Sequence, residues 1–288
     1  MRCHDEEGEE VRTKGPARWD KMLAAPVKER LTWLFVIAAT LVAAFVYNRH
    51  FSKGHEKSVE TRDYTPPAPS DYVVLRDGYE LGFNADTRQP DWVAYRLTKD
   101  KLQHPKAKRS DDFRPDGEIR ESAQLSDYSK SGYDRGHMAP AADMKGSQHE
   151  MSQSFLLTNM SPQLPGCNRG VWGRLEDKIR GIAMEENSIY VVTGPIHDED
   201  QKLKVIGKSE VWVPDFYFKV VLDETPPRKM IGFIVPNKGS NKELWKFALT
   251  VDEVEEATNL DFFPGTPDEA ELESGLDLKA WGLKEVEP

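Results

Sequence analysis

Two cysteines in 288 residues, Cys3 and Cys167, leave almost no sulfur chemistry to reason from. They fall on opposite sides of an apolar segment, so no intrachain disulfide is expected and the fold must hold without one. With no Cys/His cluster, a structural zinc site is excluded. Cys167, flanked by Gly166 and Asn168, reads as a packing residue rather than a nucleophile. There is no internal repeat, and no helix-turn-helix, RNA-recognition or zinc-finger signature through which bases would be read.

Long apolar runs are also scarce. The one that stands out is Leu31 to Tyr47, seventeen residues without a charge, at the lower limit for a bilayer-spanning helix. Trp33 and Tyr47 stand near its ends, where amphipathic rings prefer the interface. It is expected to be a single membrane anchor. A cleaved signal peptide with Val42-Ala43-Ala44 at the cleavage site is the rival, but about thirty preceding residues make a long n-region. Basic residues flank the span almost equally, Arg18, Lys21, Lys28 and Arg30 before it and Arg49, Lys53, Lys57 and Arg62 after it. The positive-inside count therefore leaves orientation open.

The net charge of −10 argues at first against a polyanionic partner, because repulsion slows encounter. Its distribution removes the objection. Val251 to Pro288 holds twelve acidic residues and two lysines, which accounts for the whole excess. Arg96 to Arg109, by contrast, holds six basic residues (Arg96, Lys99, Lys101, Lys106, Lys108, Arg109) against Asp100 alone. The acidic tail is expected to be a solvated extension. At 38 % hydrophobic the remainder suits one globular domain.

The expected organisation is a polar segment at 1–30, the anchor at 31–47, a Pro-rich linker at 48–70 built around Thr65-Pro66-Pro67-Ala68-Pro69-Ser70, a folded domain at 71–265 and the acidic tail at 266–288. Tyr72–Leu75 and Tyr79–Phe83 flank an Arg-Asp-Gly turn and predict a hairpin. Trp92–Thr98, Ser154–Thr158, Ile189–Gly194, Glu210–Leu222 and Met230–Val235 read as strands. Arg169 to Glu186 places Trp172, Leu175, Ile179 and Ile182 or Ala183 at helical spacing. The fold class is α+β, a central antiparallel sheet flanked by helices.

Tyr133-Asp134-Arg135-Gly136-His137-Met138-Ala139-Pro140 carries the most chemistry. A histidine near pKa 6.5 can be neutral at pH 7 and accept a proton from water. Arg135 supplies a permanent planar charge suited to phosphate oxygens, and Gly136 permits close backbone approach.

Together with Thr158-Asn159-Met160-Ser161-Pro162-Gln163 and Asn168-Arg169-Gly170-Val171-Trp172-Gly173-Arg174-Leu175-Glu176, this segment resembles the DNA/RNA non-specific endonuclease family, the group that includes endonuclease G. The resemblance runs from about Tyr72 to Pro264. It implies a ββα-metal (His-Me finger) site, hydrolysis of DNA and RNA with little sequence preference, and 5′-phosphate ends. It also implies Mg²⁺ as cofactor, with Mn²⁺ a substitute. By the same resemblance His137 is the general base, Asn168 the metal ligand, Glu176 the holder of metal-bound water, Arg180 a phosphate-binding arginine and Arg109 the upstream catalytic arginine, with Arg114 its competitor. Arg135 is assigned to substrate, Asp134 to orienting the motif and Asn159 to bracing the histidine loop.

Other roles compete for several of these residues. Asn168 would also serve as a helix N-cap, and Glu176 and Arg180 as an ordinary i,i+4 pair. On a straight helix Asn168 and Glu176 would sit about 12 Å apart along the axis, too far to share one ion. The rival function is a catalytically silent nucleic-acid-binding module at the cell envelope. Retention of His137, Asn168 and Glu176 together argues against it, since a binder needs none of them. The expected partners are DNA and RNA, with a membrane reached through the N-terminal helix. A homodimer is left open, and no protein partner is identifiable. The expected location is a bacterial envelope with the nuclease outside. A mitochondrial inner membrane is disfavoured by Glu6-Glu7-Gly8-Glu9-Glu10, because transit peptides are poor in acidic residues.

Overall fold

Period-two alternation of apolar residues builds the centre of this protein, and helical periodicity covers it. The computed structural model describes residues 66, 70–198 and 202–284, all within a unit spanning Asp63–Pro288. The segments expected at 1–30 and 31–47, with nearly all of the linker, lie outside the described residues. No described helix is long and apolar enough to cross a membrane.

In chain order the strands are β1 (Tyr72–Arg76), β2 (Tyr79–Asn84), β3 (Gln89–Thr98), β4 (Asp134–His137), β5 (Met160–Gln163), β6 (Ser188–Ile196), β7 (Val205–Ile206), β8 (Val211–Trp212), β9 (Phe216–Asp223), β10 (Lys229–Pro236) and β11 (Ala248–Leu249). The helices are α1 (Lys99–Gln103), α2 (Leu125–Tyr128), α3 (Gln148–Gln153), α4 (Gly173–Glu186), α5 (Val251–Thr258) and α6 (Glu269–Ser274). Seven strands form one sheet in the order β1-β2-β3-β6-β9-β10-β11, with every neighbouring pair antiparallel. Strands β4 and β5 form a separate ribbon, as do β7 and β8.

Both faces of the sheet are buried, in two distinct cores. On one face Tyr217 and Val221 of β9, with Val93, Val191 and Phe233, meet Leu175, Ile179, Ile182 and Ala183 of α4. On the other, Phe218, Val220 and Leu222 of β9 meet Val251 and Val254 of α5 and Phe262 and Phe263 beyond it. α5 begins with a capping box in which Thr250 Oγ1 accepts from Glu253 N at 3.2 Å and Glu253 Oε2 accepts from Thr250 N at 2.8 Å, satisfying backbone donors that a helix leaves free.

Three expectations are corrected. Ser154–Thr158 is no strand: the chain turns there, bridges Arg114 only at Leu156 and enters a 3₁₀ turn. Its apolar run is divided between separate clusters, Phe155 in one and Leu157 in another. The strand expected over Glu210–Leu222 breaks at Pro214, which lacks an N–H to continue a ladder, so Val211–Trp212 pairs with Val205–Ile206 instead. Nor is the segment after 265 a solvated extension. Trp281 and Leu283 are buried in the core shared with α4, and Leu272 of α6 packs on the other core.

Two outcomes follow from that packing. Trp281→Ala should cost about 3–5 kcal/mol in denaturant unfolding, where an extension in solvent would register within about 0.5 kcal/mol. Glu273 of α6 is pushed up to about 7 by burial and by Glu255, Glu269, Asp252 and Asp261. The folded state therefore holds its proton more tightly than the unfolded chain, and stability is lost as pH rises through about 7. In thermal melts Glu273→Gln should raise Tm at pH 8 and leave it nearly unchanged at pH 5.

Candidate active site

β4 carries Asp134 at its start and His137 at its end, and pairs in antiparallel register with β5, His137 opposite Met160 and Gly136 opposite Ser161. Gly136 is required by close approach across this ribbon. A Cβ there would fall inside the side chain of Gln163, itself fully buried. Beyond β4 the chain is braced by Asn159, as expected: its Oδ1 accepts from Ala139 N at 2.9 Å, and its Nδ2 donates to Ala139 O at 3.0 Å and Ser154 O at 2.8 Å.

The helix expected from Arg169 does not start straight. Cys167–Trp172 forms a wide π-type turn, kinked at Gly170 with φ −110° and ψ −107°, before α4 begins at Gly173. The straight-helix geometry therefore does not apply across this stretch, and Asn168 and Glu176 line the same cleft. Asp134 ties the turn to β4. Its Oδ2 accepts from Asn168 Nδ2 at 3.0 Å and Arg169 Nε at 2.8 Å, and its Oδ1 from Arg169 Nη2 at 2.5 Å.

The cleft encloses about 300 Å³ between this ribbon, the turn and α4. Arg109, Arg135 and Arg169 line it with Asp134, His137 and Glu176, so cationic side chains predominate where a phosphate would lie. Arg135 stacks 3.9 Å from the Phe113 ring centroid and Arg109 5.0 Å from that of Phe155. The same two rings flank His137 edge-on at 5.5 and 4.9 Å.

These surroundings set the titration. Burial, then Arg109 and Arg135, lowers His137 to about 3, with Asp111 opposing, so the imidazole is neutral at pH 7, with a ring nitrogen free to accept that these surroundings make weakly basic. Burial pushes Glu176 up, Lys219 pulls it back, Asp143 raises it further and Arg180 lowers it. Cys167 is fully buried, and burial drives its thiol up to about 12, consistent with packing rather than nucleophilic chemistry.

The structure thus brings together His137, Asn168, Glu176, Arg135 and Arg109. Arg180 is placed apart. It is held by Asp143 at 2.9 Å and Asp177 at 2.6 Å and does not line the cleft. Arg114 donates to Asp112 and to Ser152 O and is absent from the cleft wall, which favours Arg109 of the two upstream candidates. Sequence reasoning passed over Phe113, Asp143 and Lys219. Only Lys219 left a signal, a charge in the middle of an apolar strand.

For a metal, the donor set is oxygen: the Asn168 amide, whose Nδ2 is engaged by Asp134 so that Oδ1 is left for a ligand, and the Glu176 carboxylate. Such sparse hard donors fit a hydrated Mg²⁺, which keeps most of its waters.

Residues 60–269 match the DNA/RNA non-specific endonuclease family. Over 224 residues the chain is 36 % identical to "Nuclease 1, mitochondrial" of Schizosaccharomyces pombe, covering 71 % of this chain and 70 % of that one. It is 35 % identical over 212 residues to a nuclease of Nostoc sp., covering 69 % and 75 %, and 33 % identical over 203 residues to human "Endonuclease G, mitochondrial", covering 66 % and 68 %. A solved structure of EndoG in complex with EndoGI superposes with a TM-score of 0.65 at 33 % identity, covering 69 % of this chain and 88 % of that one.

The ribbon geometry can be tested by itself. Gly136→Ala should destabilise the fold by about 1–3 kcal/mol, and adding Gln163→Ala should recover most of that loss in the same unfolding assay. Equal stability of the single variant and the parent protein would show that the close approach is not a constraint.

Proposed function

The chain belongs to the DNA/RNA non-specific endonuclease family, and we propose that it is a Mg²⁺-dependent endonuclease hydrolysing phosphodiester bonds of DNA and RNA with little sequence preference. One observation carries the mechanism: His137 from a strand, Asn168 from a kinked turn and Glu176 from a helix converge on one arginine-lined cleft.

His137 takes the proton from the attacking water, a role its neutral ring suits. Arg135 and Arg109 bind non-bridging phosphate oxygens, and the aromatic rings beneath them hold both guanidinium planes in place. Recognition of phosphate rather than base edges explains low sequence preference. Asn168 Oδ1 would hold the ion and Glu176 the water around it. When bound, the metal stabilises charge on the phosphate and on the departing 3′ oxygen. Arg180, paired to Asp143 and Asp177, would support the floor of the site unless substrate draws it free. Leu31–Tyr47 would anchor the enzyme in a membrane with the nuclease on the extracytoplasmic side, a placement that protease accessibility in intact membranes tests.

Plasmid DNA and RNA should both be cut with Mg²⁺ and spared with EDTA. His137→Ala should lower the rate about 10²- to 10⁴-fold, and Asn168→Ala should abolish the metal dependence of what remains. Tight binding of nucleic acid without cutting by the unmutated protein would overturn the enzymatic reading.

A further inference from the structure

On the side of the sheet opposite α4, five carboxylates converge where α5 meets α6. α5 supplies Asp252 and Glu255, the connection after it Asp261, and α6 Glu269 and Glu273. One carboxylate oxygen from each of Asp252, Glu255 and Glu273 lies within 4.8 Å of the others, and the same holds for Asp261, Glu269 and Glu273. Glu273 is common to both groups. Among the described residues no lysine, arginine or histidine forms an ion pair with any of the five.

A patch of acidic side chains in solvent needs no ligand, and Glu273 is what sets this one apart. It is only 8 % exposed, and its Oε1 is buried without a hydrogen-bond partner while its carboxylate points among the other four. A buried polar oxygen with no donor is costly, and these neighbours add like-charge repulsion instead of relief. A cation between them would remove both costs.

The flanking groups are arranged to hold one. Glu255 Oε1 accepts from Phe262 N at 2.7 Å and Glu269 Oε2 from Gly265 N at 2.6 Å, so one oxygen of each orients the carboxylate and the other is free to coordinate. Asp252 and Asp261 are exposed, which gives an ion a path from solvent and leaves water to complete its shell. An all-oxygen, anionic donor set selects a hard cation. Ligands on opposite sides of Ca²⁺ stand about 4.6–5.2 Å apart, twice its metal–oxygen distance, and the 4.8 Å limit within each group falls in that range. Mg²⁺ is smaller, demands near-ideal octahedral geometry and gives up its water reluctantly, so calcium is the better match.

We propose that Asp252, Glu255, Asp261, Glu269 and Glu273 form a Ca²⁺ site, separate from the candidate active site, that fastens α6 to α5 on the face of β9 and β10 opposite the cleft. Its role is structural: the ion joins two acidic helices that repel each other without it. No residue of the nuclease reading takes part.

The test melts the full chain, stripped of metal and then held in saturating Mg²⁺ to occupy the candidate active site, with and without Ca²⁺. At a hundredfold excess over its dissociation constant, Ca²⁺ should raise Tm by about 5–10 °C. Glu273→Gln should abolish that rise; the higher Tm expected of this variant at pH 8 refers to the metal-free protein. Asp252→Asn combined with Asp261→Asn, two exposed positions that leave the core untouched, should raise the Ca²⁺ concentration for a half-maximal rise about tenfold or more, because affinity follows ligand charge. Should Glu273→Gln fail to fold, this double variant carries the test. Asn168→Ala should keep the full rise. No rise in the parent protein, an equal rise in the Glu273 variant or unchanged calcium dependence in the double variant, or a rise lost in Asn168→Ala, would overturn the proposal. Absence of cleavage by the parent protein would instead sink the nuclease reading and leave this site standing, so the two failures are distinguishable.

Discussion

The side chain of Asp134 is the contact on which the cleft depends. Standing at the first position of β4, it holds Asn168 and Arg169 of the turn through three hydrogen bonds, while His137 stands three residues along the same strand. One carboxylate therefore sets where the histidine-bearing ribbon lies relative to the amide oxygen offered to a cation. A ribbon of two four-residue strands is marginal alone. Its fixity comes from Asn159 bracing the following loop, Gln163 filling the space that Gly136 leaves open, and α4 packing on the large sheet.

Burial supplies the chemistry's protonation states. His137 is held neutral by apolar surroundings and two guanidinium groups, whereas burial pushes the Glu176 carboxyl up against the pull of Lys219. The low dielectric that keeps the histidine neutral also makes it a weaker base, and the same burial raises the carboxylate. Against α4, Tyr95 and Arg180 both hydrogen-bond Asp143, so these polar groups are paired among themselves and are not isolated exceptions to an apolar core.

The sheet also resolves the problem posed by net charge. α5 and α6, which carry much of the acidic excess, pack on the face of β9 and β10 opposite α4, and the cleft is lined by arginines on the α4 side. A polyanion approaching the cleft meets the local cationic field, with the carboxylates of α5 and α6 on the opposite side of the sheet, where distance and solvent ions weaken their repulsion.

Periodicity alone determined much of this. Strands β2, β3, β6 and β10 and the body of α4 were legible because each buries apolar residues in a regular pattern that burial imprints on the sequence, whereas the largely exposed β1 was legible from the turn that joins it to β2. His137, Asn168, Glu176, Arg135 and Arg109 were legible as candidates because their chemistry is local to short motifs. What the tertiary structure decided was non-local. Whether Ser154–Thr158 pairs as a strand depends on partners far along the chain, and the packing of Trp281 on a core built some hundred residues earlier leaves no local pattern. Whether Asn168 and Glu176 can serve one site rests on a kink at Gly170 that helical spacing conceals. The burial of Lys219 against the Trp172 ring, and the commitment of Arg180 to Asp143, exist only once β9, α4 and the loop carrying Asp143 are brought together, because electrostatic interaction depends on distance through space and not on separation along the chain.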